Sequence, residues 1–214
     1  MSSRAPESVE RSSGPRSRKG ARTRERLVEA AKEIFEEDGF LDARISDIAR
    51  RAGLSHGSFY YYFDSKEEVF REVAAAVDEE LSAPLADVIR APSSGVHPRA
   101  RIRDALRRYF ERYRAEARIM GVIEQMSRYD AEVNRIRLDR HRDYTEQIAD
   151  SIRQMQLRRR TDPGLDPLIA AATIGALTSR FAETWLVEGT VDATLEECVE
   201  QVSRVVGNVL RLPE

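Results

Sequence analysis

Residues 45–63 read Ile-Ser-Asp-Ile-Ala-Arg-Arg-Ala-Gly-Leu-Ser-His-Gly-Ser-Phe-Tyr-Tyr-Tyr-Phe, and they hold the side chains best placed for intermolecular chemistry. Two short helical stretches, 45–52 and 56–63, flank a turn at Gly53, the layout of a helix-turn-helix whose second helix enters the DNA major groove. At about 100° per residue, Phe59 and Phe63 share one direction, which their apolar rings turn inward. Gly57 and Tyr61 then point outward, flanked by Ser58 and Tyr60, with His56 at the edge of that face. Tyr60, Tyr61 and Tyr62 cannot all be buried on one helix. Phenols and hydroxyls can donate to phosphates or touch base edges, and Gly57 lets backbone approach closely. The expected chemistry is contact with double-stranded DNA.

Catalytic chemistry has no comparable footing. No phosphate-binding loop, dinucleotide glycine fingerprint or Gly-x-Ser-x-Gly elbow occurs, and no general acid–base cluster stands out. His56, His97 and His141 share no ligand spacing, so no metal or cofactor is expected, and the chain does not read as an enzyme. The one cysteine, Cys198, excludes an internal disulfide and falls on an apolar helix face, where a buried small hydrophobe is expected rather than a redox sensor. No secretory signal and no run of about 18 apolar residues is visible, so a cytoplasmic protein without membrane contact is expected.

The elements that must position this face are helices. Across 214 residues, 41% hydrophobic and 34% charged, strand-like alternation is absent and helical spacing recurs, so the expected fold is all-α with about nine helices. Leu27, Ala30, Ala31, Ile34 and Phe35 form one stripe, closed near Gly39. Ser65 and Glu68 make a capping box ahead of a long helix carrying Val69, Phe70, Val73, Val77, Leu81 and Leu85. Residues 91–98 are loop-forming, and Pro163, Gly164 and Pro167 mark another break before final helices at about 166–188 and 193–211. Three units are expected: a disordered basic arm at 1–17, a three-helix DNA-binding unit at 18–66, and a helical effector-binding and dimerisation unit at 67–214.

The 35 basic and 37 acidic side chains leave a net charge of −2, which excludes a binder relying on bulk charge. The distribution is uneven. Residues 1–66 hold 13 bases against 11 acids, with the bases gathered in an arm that leads into the first helix through Arg18, Lys19, Arg22 and Arg24. Such an arm is either a solvated tail or a minor-groove and phosphate contact.

From Arg24 to about Val77 the chain resembles the N-terminal DNA-binding domain of the TetR family of bacterial transcriptional repressors. The matching residues are Ile34-Phe35 and Gly39-Phe40, Asp47-Ile48-Ala49, Ala52-Gly53-Leu54-Ser55, Gly57 through Phe63, and Ser65-Lys66-Glu67. The resemblance implies a homodimer that binds an inverted-repeat operator and is released when a small molecule enters the C-terminal unit. It makes Ser58, Tyr60 and Tyr61 operator contacts and Lys66 a phosphate contact, with Arg22, Arg24, Arg44, Ser46, His56, Gly57 and Tyr62 completing the expected interface. The family usually has Thr or Ser just before the second helix, where this chain has Ala43 and Arg44. Either Asp42 caps that helix or Arg44 reaches the phosphate itself. The family often has His in place of Tyr62.

The C-terminal half carries two further expectations. Leu177, Leu195, Val199, Val202, Val206 and Val209 lie on apolar helix faces that form either an internal core or, as the resemblance implies, a four-helix dimer interface. Tyr109, Phe110, Tyr113, Met120, Ile123, Met126, Tyr129, Tyr144, Phe181 and Trp185 are either core or the lining of a pocket for a small hydrophobic effector. A DNA-binding activator or architectural protein of the same fold, without a small-molecule switch, is the alternative.

Overall fold

The computed structural model describes residues 18–90 and 97–213, so the expected disordered arm at 1–17 and most of the loop at 91–98 lie outside the described residues. Among the described residues there are nine helices and no strand: α1 Arg18–Asp42, α2 Ile45–Arg51, α3 His56–Phe59, α4 Lys66–Arg90, α5 Pro98–Ala115, α6 Ala117–Met126, α7 Ala131–Leu157, α8 Pro167–Leu186 and α9 Leu195–Val209. None is long and apolar enough to cross a membrane.

Local chemistry sets most of the boundaries. Gly39, at φ +73°, breaks the regular turn of α1, and the chain re-enters a last helical turn through Phe40 to Asp42. Gly53, also at positive φ, turns the chain between α2 and α3, where the left-handed region suits glycine. Ser55 caps α3 by accepting from the Ser58 N–H. At the start of α4 the Ser65 hydroxyl accepts from the Glu68 N–H, while the Glu68 carboxylate accepts from the N–H of Asp64, one residue earlier than a regular capping box. Asp130 caps α7, Asp166 caps α8, and Thr194 with Glu197 forms a complete capping box at α9. Helix α3 is shorter than expected. Tyr60–Tyr62 form a turn after one helical turn, yet Phe59 and Phe63 remain buried as the wheel requires.

The N-terminal core is aromatic. Phe70 of α4 meets Phe35 edge-on at 5.1 Å and Phe40 at 5.0 Å, and Leu27, Ile34, Ile48 and Phe59 close around them. In the C-terminal part α8 packs on α7, α9 on α5, and α4 on both α5 and α7. Small residues allow the close α7–α8 approach: a Cβ at Gly175 would stand 3.3 Å from the His141 ring. Both ends of α9 are tied to other parts of the chain: the Trp185 indole N–H donates to the Ala193 carbonyl just before it, and the buried Thr161 hydroxyl donates to the Leu210 carbonyl, 2.5 Å away, just after it.

The inner face of α9 corrects one expectation. Val199, Val202 and Val206 are buried within the single chain, with Cys198 beside them. Side chains already sealed from water by their own chain have no surface left for a partner, so these three valines are core and not interface. Leu177 and Leu195 are half-buried, and only Val209 of the expected set is exposed. Burial pushes the Cys198 thiol up, which suits an inert small hydrophobe.

The Phe35–Phe40–Phe70 contact should dominate the stability of the N-terminal unit. Phe70→Ala is expected to cost about 3–5 kcal/mol, read as a shift in the urea midpoint followed by circular dichroism. A shift below about 1 kcal/mol would mean that the site collapses without loss and that the cluster is not the anchor.

Candidate nucleic-acid interface and internal cavity

The surface of α2, α3 and the turn after α3 brings most of the expected contact residues together. Arg44 precedes α2 with extended backbone and no side-chain cap, and Asp42 lies in the last turn of α1, so neither side chain caps α2. Arg44 is exposed and has no ion pair among the described residues; Ser46, His56 and Gly57 are exposed with it. Tyr60 is half exposed, Tyr61 is 78% exposed, and Tyr62 is half-buried, edge-on to Tyr61 at 5.1 Å. Ser58 is half-buried and shares a 2.7 Å hydrogen bond with the Ser55 hydroxyl. A Cβ at Gly57 would meet nothing within 4 Å, so nothing inside the chain requires glycine there.

Two expected contacts are corrected. Lys66 was expected to hold a phosphate, but its ammonium donates to the carbonyls of Phe40, Leu41 and Ala43 at 2.7, 3.1 and 2.9 Å. It also lies 4.7 Å from the Phe40 ring centroid. An ammonium has three N–H donors and all three are used, so Lys66 caps the end of α1 from inside the fold. Arg24 likewise turns away from solvent. It pairs with Glu72 at 2.5 Å and lies over the Phe63 ring at 4.2 Å, because α1 and α4 are packed side by side. Arg22, on the opposite side of α1, is exposed without an ion pair among the described residues.

Other basic residues are used to build the face. Arg51 of α2 bridges Glu33 and Glu37 of α1 at 2.8 and 2.7 Å, and these hydrogen bonds raise the guanidinium pKa further. Arg26 donates to the Ala52 carbonyl, and a Cβ on Gly53 would stand 3.0 Å from the same guanidinium. These contacts fix α2 and the turn against α1. The sequence signal for them was the run of acids, Glu33 to Asp38, set opposite an Arg-Arg pair.

Behind this unit, α4 through α9 line an open cavity of about 1130 Å³. Of the expected pocket residues, Tyr109, Tyr113, Met120 and Tyr144 line it. Phe110, Ile123, Met126, Phe181 and Trp185 do not. Phe110 points about 100° away from Tyr109 around α5 and packs against Trp185 and Phe181 at 5.7 and 5.8 Å, as core. Tyr129 lies in the turn before α7 and is 81% exposed.

The cavity also has polar lining that a search for aromatic residues passes over: Asp78, Glu124, Arg137, His141, Gln147, Arg180 and Glu183. The signal was available as spacing, since His141, Tyr144 and Gln147 stand three residues apart on one face of α7. Arg137 pairs with Glu124 at 2.6 Å and Arg180 with Glu183 at 2.7 Å. Burial raises the Glu124 carboxyl against the opposing pull of Arg137. Burial first, then neighbouring phenols and acids, pushes the Tyr109, Tyr113 and Tyr144 hydroxyls above their ordinary range, so they stay protonated donors.

Two junctions tie the cavity helices to the N-terminal unit. Glu116, buried between α5 and α6, pairs with Lys32 of α1 and is reached by Arg112, which also pairs with Glu80 of α4. Arg71 of α4 pairs at 2.9 Å with Asp130, the cap of α7. Burial raises the Asp130 carboxyl, but Arg71 and two backbone N–H donors outweigh it and hold the group below its ordinary range.

The fold and this surface define a helical protein with an N-terminal helix-turn-helix and a cavity-bearing helical unit behind it. The model for bacterial regulatory proteins of the tetR family matches residues 27–73. The HTH-type transcriptional regulator YdgC of Bacillus subtilis, itself uncharacterized, is 47% identical over 55 residues, 26% of this chain and 28% of that protein. The match thus spans less than a third of YdgC's length. The regulator UidR of Escherichia coli is 25% identical over 157 residues, 73% of this chain and 78% of that protein. A crystal structure from Mesorhizobium loti, assigned to the TetR-family transcriptional regulators, superposes with a TM-score of 0.78 at 19% identity, covering 91% of this chain and 98% of that one. The helix-turn-helix unit thus matches the bacterial regulatory proteins of the tetR family, and the chain as a whole shares the all-α fold of TetR-family regulators.

If Lys66 is an internal cap, Lys66→Met keeps the stem and leaves three carbonyls without their donor. A loss of about 1–3 kcal/mol in stability is expected, visible as a lower melting temperature. An unchanged melting temperature would return Lys66 to the side chains free to meet an outside anion.

Proposed function

We propose that the chain is a homodimeric, ligand-responsive transcriptional repressor that binds an inverted-repeat DNA operator. The observation that carries the reading is the outward face of Arg44, Ser46, His56, Gly57, Tyr60 and Tyr61, exposed on an aromatic core, with the rings of His56, Tyr60 and Tyr61 touching only neighbouring rings of the same segment. The proposed DNA-binding unit is residues 18–66, and residues 67–214 supply ligand binding and dimerisation. Exposed phenols beside a glycine fit a groove wall, and the uncompensated Arg22 and Arg44 fit phosphates. Few free cations suit a protein that must release its operator when a ligand binds.

Dimerisation is supported by a different set of apolar residues from those in the α9 core. Leu168 and Ile169 at the start of α8 and Val205 and Val209 in the last turns of α9 are 42, 68, 44 and 41% exposed. Each of the four is an apolar side chain facing water, of the kind a second copy covers. Two such copies would set their recognition faces about 34–36 Å apart, one turn of DNA. Helix α4 reaches both the aromatic core and the cavity, so a ligand that prefers one placement of α4 shifts the spacing of the two faces.

Tyr61→Ala is expected to weaken operator binding in a gel shift by at least about tenfold, with the helical spectrum and oligomeric state unchanged. Arg44→Ala should lower the slope of log affinity against log salt by about 1. Unchanged affinity in both variants would remove this face from the interface. For the dimer, the double variant Val205→Glu with Val209→Glu should sediment as a folded monomer, whereas Val202→Glu should unfold the chain. A double variant that sediments as wild type would place the interface elsewhere.

A further inference from the structure

Two buried polar atoms on the α7 wall of the cavity have no use inside the chain. The Tyr144 hydroxyl and the Gln147 side-chain carbonyl are buried from solvent and have no hydrogen-bond partner among the described residues. They stand three residues apart on α7 and both line the cavity, so they share a face. An unsatisfied buried polar group is destabilising, and leucine or phenylalanine at these positions would carry no such penalty. Tyr109 and Tyr113, facing from α5, add two phenols to the same wall.

Charge in this part of the cavity is already balanced or negative. The cations Arg137 and Arg180 are each held by a carboxylate, Glu124 and Glu183. Asp78 and Glu124 both act on Tyr109. A ligand carboxylate here would meet Asp78 and Glu124, with the His141 imidazole one turn from Tyr144 as a base outside these ion pairs, and an ammonium would find Glu124 and Glu183 already paired and Asp78 engaged within the chain. An uncharged hydroxyl has neither penalty. It donates to the Gln147 carbonyl and accepts from the protonated Tyr144 phenol, while Leu106, Ile148 and Ile152 receive an apolar body. Arg101, Arg158 and Arg160 line the far end, at the start of α5 and beyond the end of α7, away from Tyr144 and Gln147.

We propose that the cavity selects an uncharged, hydroxyl-bearing apolar ligand whose polar end is held between Tyr144 and Gln147. The inference rests on the cavity being a ligand site, as set out under the proposed function, and adds the chemical class.

The test uses four probes on one fluorescent skeleton: 1-pyrenemethanol, 1-methylpyrene, 1-pyrenecarboxylate and protonated 1-pyrenemethylamine, titrated against the full chain. The alcohol is expected to bind about tenfold more tightly than the methyl compound and more tightly than either ion. Tyr144→Phe and Gln147→Leu should each erode that preference and leave methylpyrene binding unchanged. Neither should lower the melting temperature of the ligand-free protein, because each removes a polar atom that has no partner. If methylpyrene or either ion binds as tightly as the alcohol, the cavity remains a ligand site and the proposed class is overturned. If none of the four binds, the ligand reading of the cavity falls and the inference with it.

Discussion

Helix α4 has to satisfy two cores with one apolar stripe, and the rest of the molecule is arranged around that demand. Its first turns place Val69, Phe70 and Val73 in the aromatic cluster beneath the helix-turn-helix. Its later turns bring Asp78 and Leu81 to the cavity wall. A continuous helix transmits rotation or translation between its ends because its backbone hydrogen bonds do not yield separately. The two cores therefore share one element, the physical basis of the coupling proposed above. Arg71 with Asp130, and Glu116 with Lys32 and Arg112, add ion pairs across the same boundary.

Charge has three separate tasks in this chain. One group of bases is structural: Lys66, Arg24, Arg26 and Arg51 bind carbonyls, carboxylates or aromatic faces within the fold. A second group lines the cavity in compensated pairs. Only a few cations near the helix-turn-helix, Arg22 and Arg44 among them, are exposed without an ion pair among the described residues. The near-neutral total therefore conceals a small electropositive reserve beside the exposed phenols. On the proposed reading, affinity from so few phosphate contacts is supplemented by the tyrosines, which ties binding to groove shape and sequence more than to ionic attraction.

Much of this was legible before any coordinates. Helical periodicity gave the all-α fold, and the nine described helices follow it, with Ser55, Ser65, Asp130, Asp166 and Thr194 capping the starts of five of them. The helical wheel over 57–63 placed Phe59 and Phe63 inside and Tyr61 outside, an outcome that survived the shortening of α3 because the turn after Phe59 keeps nearly helical spacing. The glycine turn at Gly53 and the identity of the outward face were likewise local properties, fixed by residue type and spacing.

Tertiary structure decided which partner each side chain meets, and there the sequence was mute. A helical stripe such as Val199, Val202 and Val206 shows that a face is apolar but not whether its cover is α5 or a second copy. A lysine at the head of a helix looks available to phosphate until the end of α1, some 25 residues earlier, delivers three carbonyls to it. Neighbouring aromatics such as Tyr109 and Phe110 divide between cavity and core by the direction of one helix. Periodicity records a residue's angle around its own axis. Contact depends on the placement of a second axis, which only the folded packing of all the helices sets.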